Sequence, residues 1–465
     1  MPVKKERFWT IVATCLAFVI IQLDVTIVNV AIPSISMQLD SDISGMQWII
    51  DAYTLALAVV LLMAGVLGDR WGSRRIFLAG FSVFGFASLV CGMSTSTELL
   101  IAARAVQGFG GALVLPTSLA LIAHACKGDD VLRAKAVSIW AASGAIATAA
   151  GPILGGLLVS TIGWSWIFYV NVPICIFATF ITIKVISETT RSNKGQFDFL
   201  GQIIITVGLL VLISSLIRAG SHGLGDNFVT DGIIIFAISI TAFLIRQATA
   251  YNPIVPLHLF RILPFSSSVL SASLLSLTFY GLIFVLSLYF HHVLGYSPAE
   301  TGAAFLPLTG VIVIANLASV SLIRKVGYRV AISGGLFVAA LGYAYLALMP
   351  NYSALLPMVP GMMMVTLGMG TAIPATTTVV IGSVDKNISG TASAILNTGR
   401  QFAGALGVAV FGAIVSDHAA TIAVNIREVY VISALVLVLA MFKSMFCIGK
   451  SIVPYSITTL KKATA

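Results

Sequence analysis

Three ionisable side chains stand where the chain is otherwise apolar. Asp24 lies in "QLDVTIVNVAIP", Asp51 in "WIIDAYTLAL" and Arg104 in "IAARAVQGFGGALVLP". An Asp or Arg at the centre of a bilayer costs ~2.5–3.5 kcal/mol on insertion scales, so such residues mark ion pathways, ligand sites or buried pairs. A carboxyl group taken out of water favours its neutral form, and so can load a proton at one time and release it at another. By residue count all three fall toward the same side of a membrane. Arg104 sits about six residues inside its helix, or ~9 Å at 1.5 Å per residue. The pattern predicts a cluster of Asp24, Asp51 and Arg104, with Gln107 one turn from Arg104 on the same helix face. The alternative for each is structural: a helix cap, a snorkelling arginine, or an ion pair that only joins helices. A fourth embedded charge, Arg400, stands far downstream in "NTGRQFAGALGVAVFG".

The elements that must position these residues are membrane helices. The chain has 465 residues, 58% hydrophobic and only 9% charged, whereas soluble chains carry about 25% charged residues. Fourteen apolar runs, from 8–32 to 428–448, are long enough to span a bilayer. The net charge of +9 does not mark a nucleic-acid partner, because the basic residues cluster at the ends of the runs. With the N-terminus placed inside, all of the 26 Lys and Arg but Arg104, Arg218, Arg400 and Arg427 fall on the inner side. Both termini are therefore expected in the cytoplasm. The five cysteines are scattered singly, and adjacent His291 and His292 point to different helix faces, so no metal site is expected. No zinc-protease motif, nucleophile elbow or Walker A loop occurs, which argues against an enzyme and against ATP as the energy source.

An internal match sets the domain plan. "GDRWGSRRIF" and "IRKVGYRVAI" align Arg70 with Lys325, Gly72 with Gly327 and Arg74 with Arg329 at one constant offset. Two six-helix halves follow, residues 1–185 and 266–465, with two extra helices inserted in 186–265. Parallel halves that rock about a central site are a transporter architecture.

Several motifs then occur in order. "LDVTIVNVAIP" (23–33) opens the chain; "GVLGDRWGSRR" (65–75) joins runs two and three; "IAARAVQGFGGALVLP" (101–116) lies in run four; "GAIATAAGPILGG" (144–156) lies in run five. "GWSWIFYVNVP" (163–173), "FDFLG" (197–201) and "VLGYSPAETGAAFLP" (293–307) extend the match. Together they resemble the fourteen-helix drug:proton antiporters of the major facilitator superfamily, the QacA-like and EmrB-like exporters. The resemblance implies an all-α fold that exchanges protons for lipophilic, cationic small molecules across the cytoplasmic membrane. It implies no cofactor, energy from the proton gradient, a lipid bilayer as the only large partner, and function as a monomer. It assigns proton coupling or cargo binding to Asp24, Asp51, Arg104 and Gln107. Gly68, Asp69, Arg70, Gly72 and Arg74 form a gating loop, with Asp69 as a lock on a helix N-terminus or an arginine. Gly144, Gly151, Pro152, Gly155 and Gly156 form the antiporter helix, whose missing side chains allow close approach and sliding. Arg400 is the candidate of the second half. Export of an endogenous metabolite, or proton-coupled import, are the alternative readings.

Overall fold

The computed structural model describes residues 2–189, 198–349, 354–385, 388–415 and 419–449. Most of the polar 186–198 linker, part of "FDFLG", and the basic C-terminal tail lie outside these residues. The described residues form helices, with no strand among them.

The first half comprises α1 (Pro2–Leu39), α2 (Ile43–Trp71), α3 (Ser73–Gly92), α4 (Thr97–Ala125) and α5 (Asp130–Ile162), followed by a short α6 (Trp166–Tyr169) that leads into α7 (Asn171–Val185). The helix starts are chemically marked. The side chains of Asp42, Ser96 and Asp129 accept hydrogen bonds from the backbone N–H groups of Gly45, Leu99 and Leu132, supplying partners that the first turn of a helix lacks. A hairpin follows, α8 (Phe199–His222) and α9 (Asn227–Thr249). Asp198 caps α8 and also bonds Arg246 and Gln247 near the end of α9, at 2.9 and 3.0 Å.

The second half holds α10 (Leu263–His292), α11 (Pro298–Ala304), α12 (Leu306–Leu348), α13 (Val359–Gly382), α14 (Ser389–Ile414) and α15 (Ala419–Cys447). α12 is broken at Gly327, which leaves helical geometry with φ 80°. Its sequence counterpart Gly72, between α2 and α3, has φ 99°. Both positions need the left-handed backbone that glycine tolerates. Twelve stretches are long and apolar enough to cross a membrane; one of them, Pro298–Leu348, runs for 51 residues and contains the break.

By the alternation of helices, one face of the bundle gathers the loops with Arg70, Arg74, Lys127, Lys184, Arg261, Lys325 and Arg329; it is called the basic face below. Away from it the two halves share a core. Ile32, Met46, Ile50 and Leu100 of the first half pack in one cluster with Leu282, Leu286 and Phe290 of the second. Nearer the basic face the first half has a core of its own, including Ala17, Ile21, Leu57, Phe77 and Phe81, against which Tyr280 packs from the other half.

Candidate functional site

The expected pair is formed inside the first half. Arg104 Nη1 donates to Asp24 Oδ2 at 2.5 Å, joining α4 to α1. The same nitrogen donates to Gln107 Oε1 at 2.6 Å. Gln107 Nε2 donates to Asp24 Oδ1 and to Ser88 Oγ of α3, both at 2.9 Å. Asn171 Nδ2, at the start of α7, reaches Asp24 Oδ1 at 3.3 Å. Arg104 Nε donates to the Ile49 carbonyl of α2 at 3.1 Å, and its guanidinium lies 4.2 Å over the Tyr53 ring. Asp24 is 0% exposed and Arg104 1%. Five helices thus converge on one ion pair, with both Asp24 oxygens and the Nε and Nη1 of Arg104 hydrogen-bonded. A buried pair of this kind is tolerated only with such satisfaction, and removing either member leaves an uncompensated charge.

Asp51 does not join this cluster. Both of its carboxyl oxygens are buried and make no hydrogen bond among the described residues. It lies on the α2 stripe one turn from Gln47, whose side-chain amide donates to the carbonyls of Val408 and Ala409 on α14. One turn further along, Leu55 packs with Ala405 and Ala409 of α14 and with Ile213 of α8. Tyr53, not Asp51, is the α2 side chain that meets Arg104. Two residues are ~200° apart on a helix, so equal depth did not mean a shared face.

The gating loop also differs from expectation. Asp69 enters no ion pair or hydrogen bond among the described residues, and α3 begins at Gly72 without a side-chain cap of its own. Glu188 and Thr189, just after α7, serve instead: Thr189 Oγ1 accepts the Ser73 N–H at 2.8 Å and Glu188 Oε1 the Arg74 N–H at 3.1 Å. The Arg74 side chain donates to the carbonyls of Thr182 and Ile183. Arg70 and Arg74 stand at the basic face, and Gly68 packs against Thr117.

α5 fits its neighbours through absent side chains. A Cβ on Gly144 would strike Phe18, one on Gly151 would strike Thr26, and one on Gly155 would strike Ile27, all on α1. A Cβ on Gly156 would strike Pro298 and Gly302 of the second half, and one on Gly302 would strike the carbonyl of Pro152. The halves also join where Ser287 Oγ donates to the Asn29 carbonyl. These ties, with Gln47, all lie away from the basic face.

On the basic-face side of them is a cavity of about 40 Å³, lined by Phe18, Gln22, Leu115, Tyr280, Asn397, Arg400 and Gln401. Asp24 does not line it. Arg400 is half-buried and donates through Nε to Ser276 Oγ at 3.4 Å. The two embedded cations therefore occupy different settings: Arg104 sealed against its carboxylate, Arg400 on the cavity wall.

Asn171 and Ser88 were not singled out from the sequence. The signal available was an amide and a hydroxyl inside otherwise apolar runs. No cluster of His, Cys, Asp or Glu that could hold a metal occurs among the described residues.

Two bundles facing each other across a polar cavity, one with a buried ion pair, define a membrane transporter. The chain belongs to the Major Facilitator Superfamily, whose family model matches residues 14–408. It is similar to the multidrug resistance protein Stp of Mycobacterium tuberculosis, 32% identical over 412 residues, covering 89% of this chain and 76% of that one. It is 33% identical to the methylenomycin A resistance protein of Bacillus subtilis over 411 residues, 87% of each chain. The tetracenomycin C resistance and export protein of Streptomyces glaucescens is 31% identical, covering 89% of this chain and 77% of that one. Among solved structures, a D-xylose–proton symporter superposes with TM-score 0.69 at 13% identity, covering 95% of this chain and 98% of that one. An inward-facing bacterial homologue of the lysosomal transporter Spinster gives 0.65 at 17%, covering 95% and 97%. These likenesses carry the fold alone. The protein is a multi-pass membrane transporter of small molecules, and its sequence relatives are drug and antibiotic resistance exporters.

Proposed function

We propose that the chain exports lipophilic small molecules across the cytoplasmic membrane in exchange for protons, with both termini in the cytoplasm and the basic face inside. The proposal of fourteen crossings counts the two arms of the broken Pro298–Leu348 stretch separately and adds the glycine-rich α14 to the other apolar spans. The observation that carries the reading is the Asp24–Arg104 pair, buried beside a separate cavity in a fold whose relatives are exporters.

In this reading the cavity opens to the cytoplasm while the ties through Gln47, Ser287 and Gly156 hold the outer side shut. Rocking of the halves parts those ties and lets water reach the pair. Protonation of Asp24 then cancels its charge and frees Arg104, which keeps Gln107, the Ile49 carbonyl and the Tyr53 ring as partners. Return to the inward state brings the proton to the cytoplasmic side, where Arg104 recaptures the carboxylate as it leaves. Asp51, buried without a partner on the α2 stripe beside α14, is a second proton-responsive group in the same interface. No acidic side chain among the described residues lines the cavity, whose aromatic groups are Phe18 and Tyr280, so the lipophilic part of the expected cargo is the part its wall supports. Export of an endogenous metabolite is a second reading, favoured by the likeness to a cephamycin export protein of Amycolatopsis lactamdurans, 33% identical over 408 residues.

The driving force is adequate. At ~2.3 kcal/mol per charge per 100 mV, roughly 150 mV of proton-motive force gives ~3.5 kcal/mol per proton, or a gradient of several hundred-fold at 1.4 kcal/mol per decade. The test is efflux of neutral, acidic and cationic fluorescent amphiphiles from cells making the protein, with and without a protonophore. Efflux abolished by the protonophore is expected. Efflux that persists would exclude proton coupling.

A further inference from the structure

We propose that Arg400 is the recognition group for an acidic function on the cargo, so that the cavity takes aromatic molecules bearing a carboxylate or a similarly ionised oxygen. The proposal rests on the export reading for the direction of transport, but not for binding.

Depth is the first observation. Arg400 stands eleven residues into α14, which runs Ser389–Ile414, and so lies ~17 Å from its start at 1.5 Å per residue. That is the middle of a hydrocarbon core of about 30 Å. An arginine there needs a water-filled cavity or a counter-ion.

The second observation is the missing counter-ion. None of the ion pairs among the described residues includes Arg400. The one hydrogen bond it makes among them is the long one from Nε to Ser276, and its terminal nitrogens have no acceptor among the described residues. Its own half offers few carboxylates: on α15, Glu428 is exposed and enters none of the ion pairs among the described residues. From Leu263 to Ile414 the only acidic residues are Glu300 and Asp385. Glu300 is engaged in the capping box at the start of α11, and Asp385 follows the end of α13. Across the cavity the first half offers Phe18, Gln22 and Leu115, none of them an acid. Of its two buried carboxylates, Asp24 is bonded to Arg104, Gln107 and Asn171, and Asp51, on the α2 stripe beside α14, enters none of the ion pairs among the described residues.

The remaining wall is chemically suited to an organic acid, and the cavity of about 40 Å³ must widen to admit an aromatic body. The guanidinium presents a planar fork of donors that matches a carboxylate. Gln401 adds an amide, Gln22 and Asn397 already donate to Thr148 and Ser393, and Phe18 and Tyr280 supply aromatic surface for an apolar body. The Phe18 ring is itself fixed by stacking on Trp140 at 3.9 Å. There is an energetic consequence. Exchange of one proton for a monovalent cation moves no net charge, whereas one proton in and one anion out moves two charges in the direction favoured by an inside-negative potential.

The test uses the full chain in lipid nanodiscs, with empty discs subtracted. Binding of 1-pyrenebutyrate is compared with that of 1-pyrenebutanol, which has the same aromatic body without the charge. The wild type should prefer the butyrate by about tenfold, as expected for a charge-assisted hydrogen bond in a hydrated cavity. The preference should vanish in Arg400→Gln and survive in part in Arg400→Lys, with melting temperatures confirming that both are folded. Equal affinities in the wild type, or a preference unchanged in Arg400→Gln, overturn the proposal; the wild-type ratio decides alone if Arg400→Gln does not fold. Either failure leaves proton coupling standing, since that depends on the protonophore result.

Discussion

The two halves handle an embedded arginine in opposite ways. In the first, Arg104 is matched to Asp24 and the pair is enclosed by Gln107, Asn171, the Ile49 carbonyl and the Tyr53 ring. In the second, Arg400 reaches the central cavity with a single long bond to a serine. A self-satisfied pair can respond to a proton without touching cargo. An unsatisfied cation can respond to cargo without holding a proton. In the proposed reading two tasks that one carboxylate was expected to share fall to separate residues, linked through the interface where α2 meets α14.

The sharpest way to break this contrast is to leave one charge of the first half alone. Arg104→Ala should destabilise the protein by ~3–5 kcal/mol, the cost of an uncompensated buried charge, and abolish efflux. The double variant Asp24→Asn with Arg104→Gln should recover most of the stability and none of the proton coupling, read from thermal unfolding and protonophore-sensitive efflux. If the single change were harmless, the pair would not be the buried element described.

Next comes the seam between the halves. Gly156→Val places a side chain against Pro298 and Gly302. Overpacking of this kind costs ~1–3 kcal/mol, charged here to the state in which the seam is closed. Efflux should fall about tenfold or more, with the protein still folded. Thiol labelling from the outside of a cysteine replacing Ser287 should rise in the same variant. A third contrast reverses the second half: Arg400→Glu should shift binding from pyrenebutyrate toward ethidium by about tenfold.

Smaller effects follow from single ties. Gln47→Ala removes the bonds to Val408 and Ala409, each worth about 1 kcal/mol, and should change efflux only a few-fold. Asp198 should contribute nothing to the pH profile of export. Its burial alone would raise the carboxyl pKa, but the Gly201 N–H, Arg246 and Gln247 together hold it below the ordinary value. A depressed folded value means stability that is present above the unfolded pKa of about 3.9 and lost as pH falls through the folded one. Asp198→Asn should therefore leave the profile between about pH 6 and 8 unchanged, since that window lies above both values. A shifted profile would place a transport proton at the α8–α9 clamp.

Much of this was legible in the sequence because charges in apolar runs are costly enough to demand partners. Asp24, Arg104 and Gln107 were found by that logic, and the paired turns at Gly72 and Gly327 by their matching flanks. Residue count gives depth but not direction around a helix, which is why Asp51 was placed in a cluster that Tyr53 joins instead. Asn171 escaped because a neutral amide disturbs an apolar run less than a charge does. The cap on α3 escaped for another reason. Asp69 is the near acid in sequence, but the N–H groups of Ser73 and Arg74 are met by Thr189 and Glu188, more than a hundred residues away.

The central claim, that the proton site is the enclosed pair and not the cavity, is tested most directly in proteoliposomes carrying Asp24→Asn. Cargo accumulation driven by an imposed pH difference should be lost, while exchange of labelled for unlabelled cargo at equal pH continues at close to the wild-type rate. Accumulation retained by the variant, or exchange lost together with it, would contradict the separation of proton and cargo sites.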